Sequence, residues 1–221
     1  MLGRHMSKSS ESLSPAPLSL SQCLAKSSKT AQNTVLPGRL VFSHCQIVGV
    51  VARALMLRMP LWLRDALFPE GSELIAAAHD VGKVSPTFQK KIYSALSQKD
   101  EAALSVLKAS NPETERQWGG HAGVSQVATE AQNAGRYISQ ILGQHHGFSP
   151  NMAMYQASSE VFGGKAWQDQ RTELLAQLKQ ALGAEFPVVK DALHARVLAG
   201  LTTVSDWIGS GALFEDPNED W

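Results

Sequence analysis

The sequence predicts an all-α fold: a compact helical bundle with a metal site at its centre. Three observations carry this. Apolar residues recur at helical spacing over most of the chain, and no segment alternates as a strand does. Gly and Pro punctuate these segments at helix-sized intervals. Histidines fall on the apolar faces of several of the helices so defined.

The elements follow in order. Residues 7 to about 36 are rich in Ser, Pro and Lys and predict a mobile or irregular stretch, with one short element around LSLSQCLAKSS. Residues 1–6, MLGRHM, read as a tag remnant, so His5 is given no role. From Leu40 to Met59 the pattern is helical: His44, Val48, Val51 and Leu55 stand at i, i+4, i+7 and i+11, and Pro60 ends the helix. Gly71-Ser72 opens the next, SELIAAAHD, with Ser72 as N-cap and an end near Gly82. Thr87 to Leu107 reads as helix, broken near Lys99-Asp100. Asn111-Pro112 opens a loop that Gly119-Gly120 closes. His121 to Ala134 is helical, with Val124, Ala128 and Ala131 on one side. Tyr137 to His146 is helical and stops at Gly147. Residues 148–164 form a long connection containing Phe148, Met152, Met154, Tyr155 and Phe162. Lys165 to Leu182 is an amphipathic helix, and Val188 to Ile208 is the last. These elements predict a flexible segment over 1–21, one domain over 22–214 and a tail over 215–221.

Composition bounds the function. With 221 residues, 43% of them hydrophobic and 18% charged, the chain can bury one sizeable core. Lys plus Arg equals Asp plus Glu at 20 each, so net charge gives no attraction for nucleic acid; a DNA ligand needs a local patch or a partner. Cys23 and Cys45 are far apart and form no CxxC pair, which fits a reducing compartment and excludes a disulfide framework or a thiolate zinc site. No apolar run reaches the ~18 residues of a membrane span. A cytoplasmic protein with no membrane association is expected.

The chemistry lies in the histidines. One His on an apolar face is ordinarily a hydrogen-bonded core residue. His44, His79, His121, His145 and His146 converging from separate helices are another matter, because each brings a donor and an acceptor to satisfy. His194 lacks such surroundings. Asp206 lies on a helix that is apolar or small on most sides, where a carboxylate needs a cation or strong hydrogen bonds. His79 and Asp80 are adjacent, about 100° apart around a helix. They face one centre from different angles, and only the carboxylate can bridge two ions.

Imidazole and carboxylate without thiolate suit Mn, Fe, Ni, Co or Mg better than structural zinc. Seven ligand candidates exceed one site and fit two divalent ions sharing a bridging Asp. Two ions about 3.5–4 Å apart bind both attacking hydroxide and phosphate oxygen, the arrangement for phosphoester hydrolysis. Lys83 either holds a phosphate oxygen there or is a solvated Lys favoured by the helix dipole. Trp118, Phe148 and Trp207 lie near the candidates and either stack bases or pack as core. Lys90 and Lys91 read as a solvated helix face.

The ordered motifs SHCQIVGVVA, HDVGK, GGHAGVS, QHHG and SDWIGS resemble the HD-domain phosphohydrolase superfamily. They resemble more closely the HD nuclease domain of the CRISPR-associated nuclease–helicase of type I systems. CLAKSSKT is similar to a segment that precedes the first His in that family. The resemblance covers about residues 22 to 210. It implies an HD-domain bundle in which His44, His79, Asp80 and Asp206 hold one ion, and Asp80, His121, His145 and His146 hold the second. It implies catalytic roles for Asp80 and Lys83, and a supporting role for Ser210 toward substrate or Asp206. It also implies cleavage of single-stranded DNA, with a helicase and an RNA-guided surveillance complex (Cascade) as partners.

One departure is that no Walker-type GxxxxGK[ST] is present, so ATP-driven unwinding is not a property expected of these residues. Two other classes compete: an HD-type phosphohydrolase of nucleotides or other small phosphoesters, and a non-enzymatic module that uses metal only to fold.

Overall fold

The computed structural model describes residues 16–147, 159–214 and 216. Its framework is helical, as expected: α1 (Val41–Leu57), α2 (Leu61–Leu67), α3 (Ser72–Ala77), α4 (Pro86–Ala95), α5 (Glu101–Val106), α6 (Gly120–Glu130), α7 (Arg136–Gln144), α8 (Ser159–Phe162), α9 (Gly164–Leu182) and α10 (Ala192–Gly209). Two short antiparallel strands, β1 (Ser27–Lys29) and β2 (Val35–Pro37), precede them. The expectation of no strand is corrected here. The pairing is only three residues long, too short to leave an alternating signal.

The N-terminal stretch is also more ordered than its composition suggests. Leu18, Cys23, Leu24 and Ala25 are buried in the main core. The Gln89 side chain accepts from Leu24 N and donates to Leu24 O, and Tyr93 Oη donates to Gln22 O at 2.8 Å. Both anchoring side chains lie on α4, more than sixty residues away in sequence, where local composition cannot report them.

Caps explain most of the shifted helix ends. Gly71, at φ 89°, is the N-cap of α3 in place of Ser72, whose hydroxyl instead donates to Pro69 O. The expected Thr87–Leu107 helix is two. Lys99 Nζ donates to the carbonyls of Ser94 and Leu96 at the end of α4, and the Asp100 side chain caps α5 through Ala103 N. The expected loop after Asn111 is a 3-10 helix, Pro112–Trp118, started by Asn111 Oδ1 accepting from Glu113 N. The last helix starts at Ala192, not Val188, because Asp191 caps it through Leu193 N and His194 N. Most of the expected 148–164 connection, Phe148 included, lies outside the described residues, and its end forms α8 and the start of α9.

Helix α1 packs against α3, α9 and α10, and α7 packs against α6 and α10. A 3-10 helix, Ala78–Lys83, continues α3 into the space between α1, α6, α7 and α9. Ala76, Ala77 and Ala78 have no exposed surface, so this segment approaches its neighbours closely. A smaller core of Trp118, Val124, Val127, Val161 and Phe162 lies beside the main one. No helix among the described residues is long and apolar enough to cross a membrane.

Arg171 on α9 is 1% exposed and holds three elements together. It donates to Val84 O at 2.8 Å, to Phe162 O at 2.9 Å and to Gln168 Oε1 at 2.9 Å. Burial pushes its guanidinium down to about 10, still charged at neutral pH. Arg171→Ala leaves buried carbonyls without donors, and we expect a loss of roughly 3 kcal/mol. Urea denaturation checks this; an unchanged midpoint contradicts it.

Candidate metal centre

The seven candidate ligands arrive from five segments, each placed for a local reason. His44 projects from α1, where it is 2% exposed. His79 and Asp80 sit in the 3-10 turn, 0% and 1% exposed. Asp80 adopts φ −103° and ψ 15°, off the helical path, in the bridge region common among active-site residues. Gly119 (φ 73°) and Gly120 (φ 70°) turn the chain so that α6 begins with His121 at its second position. His145 is the C-cap of α7, His146 follows, and Gly147 at φ 87° turns the chain away. Asp206 projects from α10.

The structure brings all seven together. Their donor atoms form two groups of three, His44 with His79 and Asp206, and His121 with His145 and His146. Asp80 lies between the groups. Its Oδ2 is 3.1 Å from His44 Nε2 and 3.2 Å from His79 Nε2. Its Oδ1 is 3.1 Å from His121 Nε2 and 3.6 Å from His145 Nε2. His79 Nε2 is also 3.2 Å from Asp206 Oδ1, and His146 Nε2 is 3.0 Å from His121 Nε2.

The donor set fits divalent cations. Ligand atoms bonded to one ion at about 2.1 Å stand about 3.0–3.4 Å apart at octahedral or tetrahedral angles, close to the spacings here. Despite these short distances, ring N–H directions miss the carboxylates. His44 Nδ1 and Nε2, His79 Nε2, Asp80 Oδ1 and His145 Nε2 are buried without a hydrogen-bond partner. Such groups are costly unless a cation takes their lone pairs. The rings are also prepared for it. His79 Nδ1 donates to Ala76 O at 2.8 Å and His145 Nδ1 to Leu142 O at 2.6 Å, which turns each Nε2 toward the centre.

The charges agree. Burial pushes His44 down to about 4 and His145 down to about 3, so both rings stay neutral, the form that binds metal. Burial also opposes charge on His79, but Asp80 and Asp206 outweigh it and raise that ring to about 9, so without an ion it carries a second proton that metal binding must displace. Burial would raise Asp80, yet His79 and Lys83 hold it well below the usual carboxylate range. Lys83 Nζ stands 2.5 Å from Asp80 Oδ2 and is not merely solvated. Ser210 Oγ donates to Asp206 Oδ1 at 2.9 Å.

Of the aromatic candidates, Trp118 is 9% exposed and packs edge-to-face on Phe162 in the smaller core, a packing role. Trp207 is 71% exposed. The His194 ring contacts the Asp191 carboxylate through Nδ1 at 3.0 Å and takes no part in the cluster.

Sequence reasoning missed Ser125, which lay inside the quoted GGHAGVS. Its hydroxyl donates to His79 O and accepts from Gly82 N, both at 2.8 Å, tying the 3-10 turn to α6. It also missed Gln89, whose amide donates to Lys83 O at 2.8 Å. Only a hydroxyl in phase with Ala122 and Ala128 at i−3 and i+3 hinted at the first.

Histidine and aspartate converging from five segments of a helical bundle define a divalent-metal-binding domain of the HD class. The Cas3 HD domain family model matches residues 24–214, and the chain belongs to that family. The fold is similar to T. fusca Cas3, with 24% identity and a TM-score of 0.65 over 90% of this chain and 23% of that one. It is similar to a chain of a CRISPR RNA-guided surveillance complex in a pre-nicking state, with 22% identity and a TM-score of 0.66 over 90% and 25%. It is similar to the Thermus thermophilus cas3 HD domain in the presence of Ni2+, with 20% identity and a TM-score of 0.56 over 90% and 83%. At these identities the likeness is one of fold. The chain spans about a quarter of the length of the T. fusca protein. No curated protein sequence matches it significantly.

Two predictions follow from this geometry. A divalent cation such as Mn or Ni raises the thermal midpoint of the chain, a chelator reverses the rise, and Asp80→Asn removes most of it. Differential scanning fluorimetry with and without metal reads this. A Cβ on Gly82 would run into His121 O and Ser125 N, so Gly82→Ala pushes α6 off the 3-10 turn. It should cost about 1–3 kcal/mol and weaken metal binding measured by calorimetry. Wild-type affinity in that variant contradicts the account.

Proposed function

We propose that this chain is the nuclease domain of a type I CRISPR interference system. In this reading it hydrolyses phosphodiester bonds of single-stranded DNA at two divalent metal ions. The observation that carries the reading is Asp80, whose two oxygens face two separate three-ligand groups. His44, His79 and Asp206 with Asp80 Oδ2 would hold one ion. His121, His145 and His146 with Asp80 Oδ1 would hold the other. Bound there, the cations supply Lewis acidity and positive charge at the phosphate being cut.

The remaining work belongs to the protein. The Ala76 and Leu142 carbonyls fix the tautomers of His79 and His145. Ser210 orients Asp206 through its hydrogen bond. Lys83 puts an ammonium beside the bridging carboxylate, where it offsets negative charge developing on the phosphoryl group. Hydrolysis adds water across a P–O ester bond, leaving a phosphate on one fragment and a hydroxyl on the other. The fold, from about residue 22 to 214, serves as the cutting domain. A helicase domain or subunit and an RNA-guided surveillance complex (Cascade) deliver an opened strand. That division of labour suits a chain whose own net charge is zero. The ion identity stays within Mn, Ni, Co, Fe and Mg, the metals that imidazole and carboxylate accept.

Incubation with circular and linear single-stranded DNA, in metal and in chelator, tests the reading. Metal-dependent cutting of the circle is expected, with His79→Ala or Asp80→Ala lowering the rate more than about 100-fold while circular dichroism stays native. Release of phosphate from mononucleotides, with long DNA left intact, would instead establish the small-phosphoester reading.

A further inference from the structure

The lysines around α4 do different things. Lys90 Nζ donates to the carbonyls of Lys108 and Ser110 and ties α4 to the segment after α5. Lys83 is held against Asp80. Lys91 is exposed and, among the described residues, has no hydrogen bond or ion pair. Its Nζ nevertheless lies 6.0 Å from the centroid of the Phe88 ring. The same ring has Lys83 Nζ at 5.6 Å and meets the His121 ring edge-to-face at 5.3 Å. Phe88 itself is 5% exposed. One nearly buried ring therefore meets a cluster imidazole and lies near two ammonium groups, one held at the centre and one exposed.

An ammonium near an aromatic face is held there by the ring quadrupole. Lys91 is thus drawn toward the cluster rather than left free along the helix. On a chain with no net charge, such a placed cation is where a polyanion meets attraction. We propose that Lys91 binds a backbone phosphate of the DNA strand next to the phosphate cut at the cluster, with the Phe88 ring setting its distance from Lys83. This rests on the nuclease reading above and names a substrate-binding residue within it. The competing role for Lys91 is electrostatic support of Glu115, a buried carboxylate whose Oε2 has no hydrogen-bond partner and which feels the charge of Lys91.

The two roles separate in solution. Anisotropy of a labelled oligothymidylate is followed in chelator, so that nothing is cut, across a salt series. Lys91→Gln should bind about threefold to tenfold more weakly at low salt, and its slope of log K against log salt should shrink by about 0.7, the loss of one single-strand phosphate contact. Lys91→Arg should keep the wild-type slope. Lys165→Gln, which removes an exposed lysine paired with Asp169 on α9, should also keep it. An unchanged slope in Lys91→Gln overturns the proposal, and a lowered unfolding midpoint alongside it assigns Lys91 to Glu115. No binding by the unsubstituted chain overturns both this proposal and the substrate class. Binding with the predicted slopes but no metal-dependent cutting upholds Lys91 and defeats only the hydrolase reading.

Discussion

Asp80 keeps a negative charge where almost no water reaches, at 1% exposure. A carboxylate at that depth is tolerated only when positive groups surround it closely. Lys83 stands at 2.5 Å, His79 is driven toward its charged form, and His44, His121 and His145 crowd both oxygens. The bundle can be understood as the means of meeting that one demand. Four helices and a 3-10 turn must end within a few ångströms of each other, and each must do so without a side chain in the way.

Small residues and backbone-directed polar groups make the approach possible. Ala76 to Ala78 and Gly82 present little or no side chain to α1 and α6. Ser125, Gln89 and Arg171 each satisfy main-chain groups of the turn or of the residues just after it. A turn between helices has fewer internal hydrogen bonds than a long helix, so these side chains supply what the turn cannot. The metal-facing imidazoles then inherit their orientation from a fixed backbone, which is the condition for a preorganised site. The same economy extends outward to Phe88, which is nearly buried and meets the His121 ring edge-to-face.

Much of the site was legible in the sequence. His44 fell in phase with Val48, and Asp206 stood on a helix with little polar company; α1 and α10 indeed pack side by side. The helical segments were legible for the same reason, since burial against a core leaves a period of 3.6 in the residues. Three features left no such trace. The β1–β2 pairing is too short, the burial of Leu18 to Ala25 depends on distant Gln89 and Tyr93, and α2 presents Leu61 and Trp62 to solvent, at 61% and 72% exposure, so its pattern does not mark a core face. Helix ends moved wherever a cap such as Gly71, Asp100 or Asp191 outweighed the apolar period.

By itself the sequence determined that the chain is a helical bundle and which residues could bind metal. Those properties are written in residue type and local period. Only the tertiary structure decided which oxygen of Asp80 faces which group, with Oδ2 toward His44 and His79 and Oδ1 toward His121 and His145. It also decided that Lys83 belongs to the carboxylate and Trp118 to the smaller core. The physical reason is that side-chain partners at ångström range are set by how helices cross. That crossing depends on alanines, a glycine and a serine hydroxyl whose neighbours lie tens of residues away in the chain.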